Sequence, residues 1–457
     1  MSRVEQQDRP ALTVRSRAFW AGFAALVLAF AVAQMLAQID LGMLAHQAPG
    51  MPAAYVMLAR LALLDLLASM ALGSVVSVRV ARALREGQAG PVMRGALTLA
   101  AILGLLLSLV GLLAYPPLAV GLSADDAALR ALLLSAIPWF AASAPLRLLN
   151  GCAAFILHAS QQGPLVVRWK LCELLAKAGL NLLFIECLGF GFAGCFMASL
   201  LLHLGSCAWV LRRLRPLMGL GRWLPAADWA RAVLRQSAWE GLRLLSMQLL
   251  GLMTLVLFAA PQIAPVDTQR LDAFAAGTFL ALLVFAPLVA LIRFLAMRFA
   301  GLAQDEVRRL LKQLLRLGVP GMALLGGLLI LLGPWLGQWV YAQQGRWWSS
   351  FVLMLGLSLP LRLAGNAMRA ALQSLGEFVA IAKVDALLGW AIGLPLLALG
   401  LRLDLPLVAY GYVLVPEALA LLWLARRIQC IRAASPQGCG LAAAMGDAQA
   451  QLPTVKP

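Results

Sequence analysis

Charge is what this sequence has least of. Asp, Glu, Lys and Arg make up 12% of its 457 residues, where a soluble domain carries about 25%. With 62% of the residues apolar and a mean hydropathy of +0.86, a soluble fold would have to hide an apolar excess for which it has no core volume. Lipid is the solvent that suits this composition. Metal chemistry is equally short of material. The three histidines stand apart, and Cys152, Cys172, Cys187, Cys195, Cys207, Cys430 and Cys439 include no CxxC pair. No structural zinc site, other metal or cofactor is therefore expected. Most of these cysteines fall inside apolar runs and read as small buried hydrophobes. The carboxylates are too dispersed to hold Mg²⁺ at a diphosphate, as a membrane-embedded transferase would need. Asp125-Asp126, after Ser123, reads instead as the charged first turn of a helix. These absences argue against an enzyme. The net charge of +17 would raise nucleic acid as a partner of a soluble protein. Here the basic residues sit in short loops, where membrane topology accounts for them, and no nucleic-acid partner is expected.

What the sequence does have is apolar runs of the roughly 20 residues that a helix needs to cross a bilayer. They fall near 18–39, 53–80, 93–114, 128–157, 165–186, 192–211, 233–260, 272–298, 318–341, 348–372, 378–400 and 406–425. The first is too long for the apolar core of a signal peptide and reads as a span. An all-α polytopic membrane protein of about 12 transmembrane helices follows. Arginine and lysine then alternate from loop to loop. The amino-terminal tail and the second, fourth, sixth and eighth loops are basic, with Arg82, Arg85 and Arg94 in the second and Arg212, Arg213, Arg215, Arg222 and Arg231 in the sixth. The odd loops hold Asp40, Asp125, Asp126, Glu186, Asp267 and Asp404, with Arg270, Arg346 and Arg402 as exceptions. The positive-inside bias then places both termini in the cytoplasm, in a multi-pass protein of the inner membrane.

The long basic sixth loop divides the spans six and six, and a repeat is visible across it. Pro145-Leu146-Arg147-Leu148 in span four recurs as Pro360-Leu361-Arg362-Leu363 in span ten, and Gln162 falls opposite Glu377 at the same offset. The copies share an orientation, so they form a parallel repeat. The expected organisation is a cytoplasmic tail (1–16), an N-lobe of six helices (17–212), a cytoplasmic linker (213–232), a C-lobe of six helices (233–428) and a disordered tail (429–457). The lobes form two pseudo-symmetric six-helix bundles around a central cleft.

The stretch Gln38-Ile39-Asp40-Leu41-Gly42-Met43-Leu44-Ala45-His46 resembles the first-span signature of the MATE (multidrug and toxic compound extrusion) transporters, a family of the multidrug/oligosaccharidyl-lipid/polysaccharide flippase (MOP) superfamily. Val80-Ala81-Arg82-Ala83-Leu84 with Glu86-Gly87 is similar to that family's end of span two. Leu188-Gly189-Phe190-Gly191-Phe192-Ala193-Gly194 resembles its start of span six. The resemblance covers about residues 15–430. It implies alternating access between two bundles and export of small organic molecules against inward flow of H⁺ or Na⁺. Asp40 then becomes a candidate for binding the coupling cation in the N-lobe. In the C-lobe the family's span-seven Glu maps near Met247 and its span-ten Asp maps to Arg362, so the acidic site there is altered. Related flippases for anionic lipid-linked saccharides often use cationic cavities, which keeps a flippase as the alternative function. They commonly carry a further pair of spans, and a count of about 12 favours the exporter.

An ionised side chain at a helix centre costs about 2.5–3.5 kcal/mol on insertion scales, so each one needs a partner or a purpose. Glu173 and Lys177, four apart, and Glu240 and Arg243, three apart, are spaced for structural ion pairs on one helix face. Arg79, Arg293 and Arg298 lie where they can snorkel to headgroups. Arg60 and Asp65 are separated by about 140° around span two and are poor partners for each other. Asp65, near mid-membrane, is a second cation-coupling candidate. Arg147 and Arg362 each follow a proline by two residues. Each guanidinium either bonds a freed backbone carbonyl or faces the cleft, where a planar fork suits a carboxylate or phosphate of the cargo. Arg60 and Glu417 are further candidates for lining the substrate cleft, and Asp385 is another polar group to place. The expected partners are a small-molecule substrate, coupling H⁺ or Na⁺ and membrane lipid, around a monomeric protein.

Overall fold

The computed structural model of the chain describes residues 14, 16–48, 50–61, 63–123, 126–260 and 268–433. The amino-terminal tail to residue 13, Arg15, Asp125, Asp267, Cys439 and the tail beyond residue 433 lie outside them. The described residues form helices and turns, with no strand among them. In chain order the helices are α1 (Arg17–Ala45), α2 (Met51–Leu61), α3 (Leu63–Arg85), α4 (Ala89–Leu122), α5 (Ala127–Ala142), α6 (Ala144–Ala159), α7 (Gly163–Asn181, continued in wider turns by Leu182–Cys187), α8 (Gly191–Met218), α9 (Ala227–Ala259), α10 (Thr268–Phe299), α11 (Gln304–Leu336, continued by Gly337–Tyr341), α12 (Arg346–Ser374), α13 (Phe378–Leu388, continued by Gly389–Gly393), α14 (Leu394–Arg402) and α15 (Pro406–Ala433).

Ten helical stretches are long and apolar enough to cross a membrane unaided, and the α5–α6 pair, bent by 49°, makes an eleventh. The remaining expected span is α7 with its continuation. Arg168, Lys170, Glu173 and Lys177 make it less apolar than the rest. The second expected span opens in the short α2 and goes on as α3. Composition explains this surface. Leu113 and Leu331 are 70% and 76% exposed, as suits side chains whose neighbour is lipid.

Proline chemistry explains the bend. Pro145 has no N–H to give the Ala141 carbonyl, and its ring crowds the preceding turn. The helix breaks at Ser143, whose Oγ donates to the Phe140 carbonyl at 2.7 Å. Its repeat counterpart, Pro360, stands inside the uninterrupted α12.

The helices form two bundles, α1–α8 and α9–α15. In the first, α6 packs on α3 and α4, and α1 on α7; in the second, α12 packs on α10 and α11, and α9 on α13. Small residues set the close crossings. A Cβ on Gly326 of α11 would run into the Gly356 carbonyl oxygen of α12, and one on the corresponding Gly111 of α4 would lie 3.2 Å from the Cβ of Ala141, the counterpart of Gly356. The repeat reaches into the turns. Gln162 N–H bonds the Leu157 carbonyl at 2.9 Å and Glu377 N–H bonds the Leu372 carbonyl at 3.0 Å, the six-to-one bond of a Schellman cap. Gln161 and Gly376, each one residue earlier, hold φ of 62° and 88°.

The bundles meet by exchange, α3 against α9 and α10 against α1. One apolar cluster bridges them, joining Phe19, Leu26, Val78 and Ala81 to Leu291, Phe294, Leu295 and Phe299. Four arginines carry hydrogen bonds across the same side: Arg79 to Gln236 Oε1 at 2.9 Å, Arg82 to the Ser374 carbonyl at 2.7 Å, Arg85 to the Arg298 carbonyl at 2.8 Å and Arg293 to the Met70 carbonyl at 3.5 Å. All four come from the halves of α3 and α10 nearest the basic loops. Beyond the expected end of the first lobe at residue 212, α8 runs on to Met218. The segment after it folds back on α4, where Arg94 bonds the Met218, Gly219 and Arg222 carbonyls.

Candidate functional site

Among the described residues, the buried carboxylates within the helices collect at three places. The first is in the amino-terminal bundle, where α1, α2, α7 and α8 surround Asp40, which is 6% exposed. The Lys177 ammonium approaches Asp40 Oδ1 at 3.0 Å, and Asn181 Nδ2 donates to the same oxygen at 2.7 Å. The Tyr55 hydroxyl donates to Oδ2 at 3.3 Å. Lys177 also donates to the Cys195 carbonyl at 2.8 Å and to Ser199 Oγ. This corrects the expected Glu173–Lys177 pair. An ammonium has three N–H donors, and those of Lys177 are spent on α1 and α8. Glu173 is held instead by Lys170, one turn earlier, at 2.7 Å and by the Ser206 hydroxyl. A four-residue spacing made the intrahelical pair possible, and packing against α1 offered Lys177 the buried carboxylate.

The second place is one pair. Asp65 on α3, 5% exposed, bonds Arg147 on α6. Arg147 also donates to the Phe140 carbonyl at 2.8 Å and to Ser143 Oγ, and its guanidinium lies 4.0 Å from the centre of the Phe140 ring. Of the two readings open for this arginine, bonding to backbone at the proline break describes its position, with the addition of a carboxylate from the neighbouring helix. Arg60 lies on the exposed side of α2 and has no ion pair among the described residues.

The third place, in the carboxy-terminal bundle, is a chain of five charges on four helices. Glu240 and Arg243 on α9 meet in a two-toothed contact, at 2.6 Å and 2.9 Å. Arg243 continues to Asp385 on α13 at 3.3 Å. Asp385 also takes Arg369 of α12 at 2.8 Å, and Arg369 closes on Glu417 of α15 at 2.6 Å. All these groups are largely buried, Glu240 at 1% and Arg369 at 6% exposed. Charge-assisted bonds with fork geometry are the strong kind. Removing one partner of such a buried pair costs about 3–5 kcal/mol, because the other charge stays behind unpaired.

Arg362 stands apart from this chain. Its guanidinium lies 3.9 Å from the centre of the Phe285 ring on α10, its Nε has no hydrogen-bond partner, and it has no ion pair among the described residues. Phe285 marks the outer edge of the apolar cluster between the bundles. Arg293, lower on α10, lies 5.3 Å from the Phe155 ring of the other bundle, again without an ion pair among the described residues. The repeat-related arginines thus both sit on a phenylalanine, but only Arg147 has a carboxylate.

The residue that sequence reasoning overlooked is Arg369, the centre of the third cluster. A signal was present: Arg362, Asn366 and Arg369 fall at a helical spacing of four and three, so they share one face of α12. Tyr55 and Asn181, which hold Asp40, gave no such signal, because neutral side chains in apolar helices are unremarkable until packing brings them to a charge.

No family model matches the chain, and no curated protein sequence matches it. Solved structures do. A MATE structure in the bent conformation superposes with a TM-score of 0.79 at 15% identity, covering 91% of this chain and 96% of its own. The Vibrio cholerae MATE transporter VcmN in its bent form gives 0.78 at 16%, covering 91% and 97%. A MOP-superfamily transporter from Pyrococcus furiosus, described as having a binding pocket of reverse polarity that suggests a different function, gives 0.75 at 16%, covering 91% and 96%. The chain has the fold of the MATE transporters over nearly its whole length.

Proposed function

We propose that the protein belongs to the MATE family and is a secondary active exporter, not an enzyme, moving small organic molecules across the inner membrane by alternating access and driven by inward H⁺ or Na⁺. Both termini and the basic loops face the cytoplasm. The arginine-stitched contact between the bundles is then the cytoplasmic seal of an outward-facing form, and the protein works as a monomer. The observation that carries the antiport reading is the charge count in the carboxy-terminal bundle. Three carboxylates, Glu240, Asp385 and Glu417, share two guanidiniums, Arg243 and Arg369. Within direct contact the cluster is one positive charge short of balance, with Arg362 near Glu417 and Arg293 near Glu240 acting only from a distance. An incoming proton or Na⁺ meets that local deficit. Of the candidates named from the sequence, Asp40 and Asp65 each already face a basic side chain, and Glu417 shifts from cleft lining to cation coupling.

Cargo recognition falls to Arg362. With Glu417 taken by Arg369, it is the one of the two repeat-related arginines left without an ion pair among the described residues and so open to a carboxylate, sulfonate or phosphate, which makes the cargo class acidic. This corrects the picture of twin arginines, because Asp65 neutralises Arg147. The unpaired Arg293 and Arg362 also support a second reading, flipping of an anionic lipid-linked precursor.

The test is transport in proteoliposomes with pH and Na⁺ gradients imposed separately. Uptake of an acidic metabolite into inside-out vesicles is expected to depend on one gradient and to lose that dependence in Glu417→Gln. Transport indifferent to both gradients removes the antiport assignment. Movement of an anionic lipid between leaflets with no gradient favours the flippase.

A further inference from the structure

The Asp40 pocket has the make-up of a cation site, yet a side chain of the protein already occupies it. Its walls present a carboxylate oxygen of Asp40, the Cys195 carbonyl oxygen and the Ser199 hydroxyl to one point, and the Lys177 ammonium fills that point. It lies 3.0 Å from the carboxylate and 2.8 Å from the carbonyl, with the hydroxyl also in contact. Lys177 is 2% exposed and Asn181 0%. A hard monovalent cation asks for the same ligands, uncharged oxygens with one carboxylate. The pocket also has an oxygen to spare. Asn181 gives its amide N–H to Asp40, but its Oδ1 is buried with no partner. All three donors of Lys177 are committed, so none remains for it.

We propose that Lys177 is a built-in counter-cation that holds the place of an exchangeable ion beside Asp40, and that this pocket binds a small monovalent cation only once that side chain is removed. The amino-terminal bundle is then locked in the cation-bound condition. Any ion that drives transport is handled elsewhere, which agrees with the charge deficit in the carboxy-terminal bundle. The meaning for coupling rests on the exporter reading. The occupancy of the pocket does not, and the test reads cation binding without transport.

The experiment measures thermal unfolding of the purified full-length protein in Na⁺, K⁺ or ethylammonium chloride against N-methylglucamine chloride at equal ionic strength. Wild type is expected to hold its midpoint within about 1 °C up to about 100 mM of each cation, since a filled site gains nothing by mass action. Lys177→Ala is expected to melt lower in N-methylglucamine. It should regain several degrees, saturably, with at least one of the cations, ethylammonium restoring the ammonium itself. Adding Asp40→Asn to Lys177→Ala should abolish the response. If Lys177→Ala does not fold, the neutral pair Asp40→Asn with Lys177→Met takes its place and should be recovered at wild-type yield. Three results overturn the proposal: a saturable Na⁺ or K⁺ shift in wild type that Asp40→Asn removes, a folded Lys177→Ala protein blind to every cation, or a neutral pair that also fails to fold. Failure of the exporter reading would instead show as absent transport with these cation responses intact.

Discussion

The two bundles share a fold and a repeat, but they handle buried charge in opposite ways. In the first bundle every membrane-embedded carboxylate described here has its own cation: Asp40 with Lys177, Asp65 with Arg147, Glu173 with Lys170. In the second, Glu240, Asp385 and Glu417 compete for Arg243 and Arg369. Pairs taken one to one can be deleted one at a time. A shared chain cannot, because each guanidinium answers to two acids. A closed pair suits a rigid frame, whereas a chain with a deficit suits a part that must accept and release a positive charge during a cycle.

The largest effect should come from breaking the shared chain at its centre. Arg369→Met leaves Glu417 with no ion-pair partner and Asp385 with only Arg243, which Glu240 also holds, in an apolar interior. At about 3–5 kcal/mol for one abandoned charge, this should abolish recovery of folded protein, read by size-exclusion chromatography in detergent. Glu417→Gln should restore more of the protein than Asp385→Asn, because Asp385 keeps Arg243 while Glu417 keeps no cation in contact; equal recovery with either change would show that Arg243 does not support Asp385. Arg147→Met comes next, stranding Asp65 alone at about 3–5 kcal/mol. There a single second change, Asp65→Asn, should return the melting temperature to near wild type. Below these in stability cost lies Arg362→Ala, which breaks no ion pair. Folded yield should be kept, while transport of an acidic cargo falls by about tenfold, the loss of roughly one charge-assisted bond. Unchanged transport would place the cargo's anion elsewhere. The smallest effect belongs to the seam between the bundles. Arg82→Ala with Arg85→Ala removes two guanidinium-to-carbonyl bonds at partly exposed positions, on the order of 1 kcal/mol each. This should raise the labelling rate of a cysteine placed at Ser374 several-fold without lowering the melting temperature appreciably.

Much of this architecture was legible beforehand, because lipid imposes simple rules. Run length located the helices, including α4 and α11, whose apolar faces are among the most exposed. The recurrence of Pro-Leu-Arg-Leu gave the register of the repeat, which the turns at Gln161 and Gly376 follow to the residue. Spacing alone could propose that Glu240 and Arg243 meet, since both lie on one helix, and they do. It could not say that Lys177 would leave Glu173 for Asp40. That choice depends on how closely α1 lies against α7, and the nearest partner along a helix says nothing of the nearest across one. Arg147 and Arg362 mark the same limit. Identical tetrapeptides predict identical roles, but a carboxylate faces only the first, because α3 carries Asp65 beside it.

The paired turns have a consequence for how the two halves have diverged. At the first, a left-handed backbone is held by Gln161 in one half and Gly376 in the other; at the second, it is held by Gly189 in one and Asp404 in the other. Glycine, the residue most at ease there, stands in the second copy at one place and in the first copy at the other. Neither half has glycine at both corners. What both inherited at these corners is a torsion angle, and the letters of the alphabet that spell it have been free to drift.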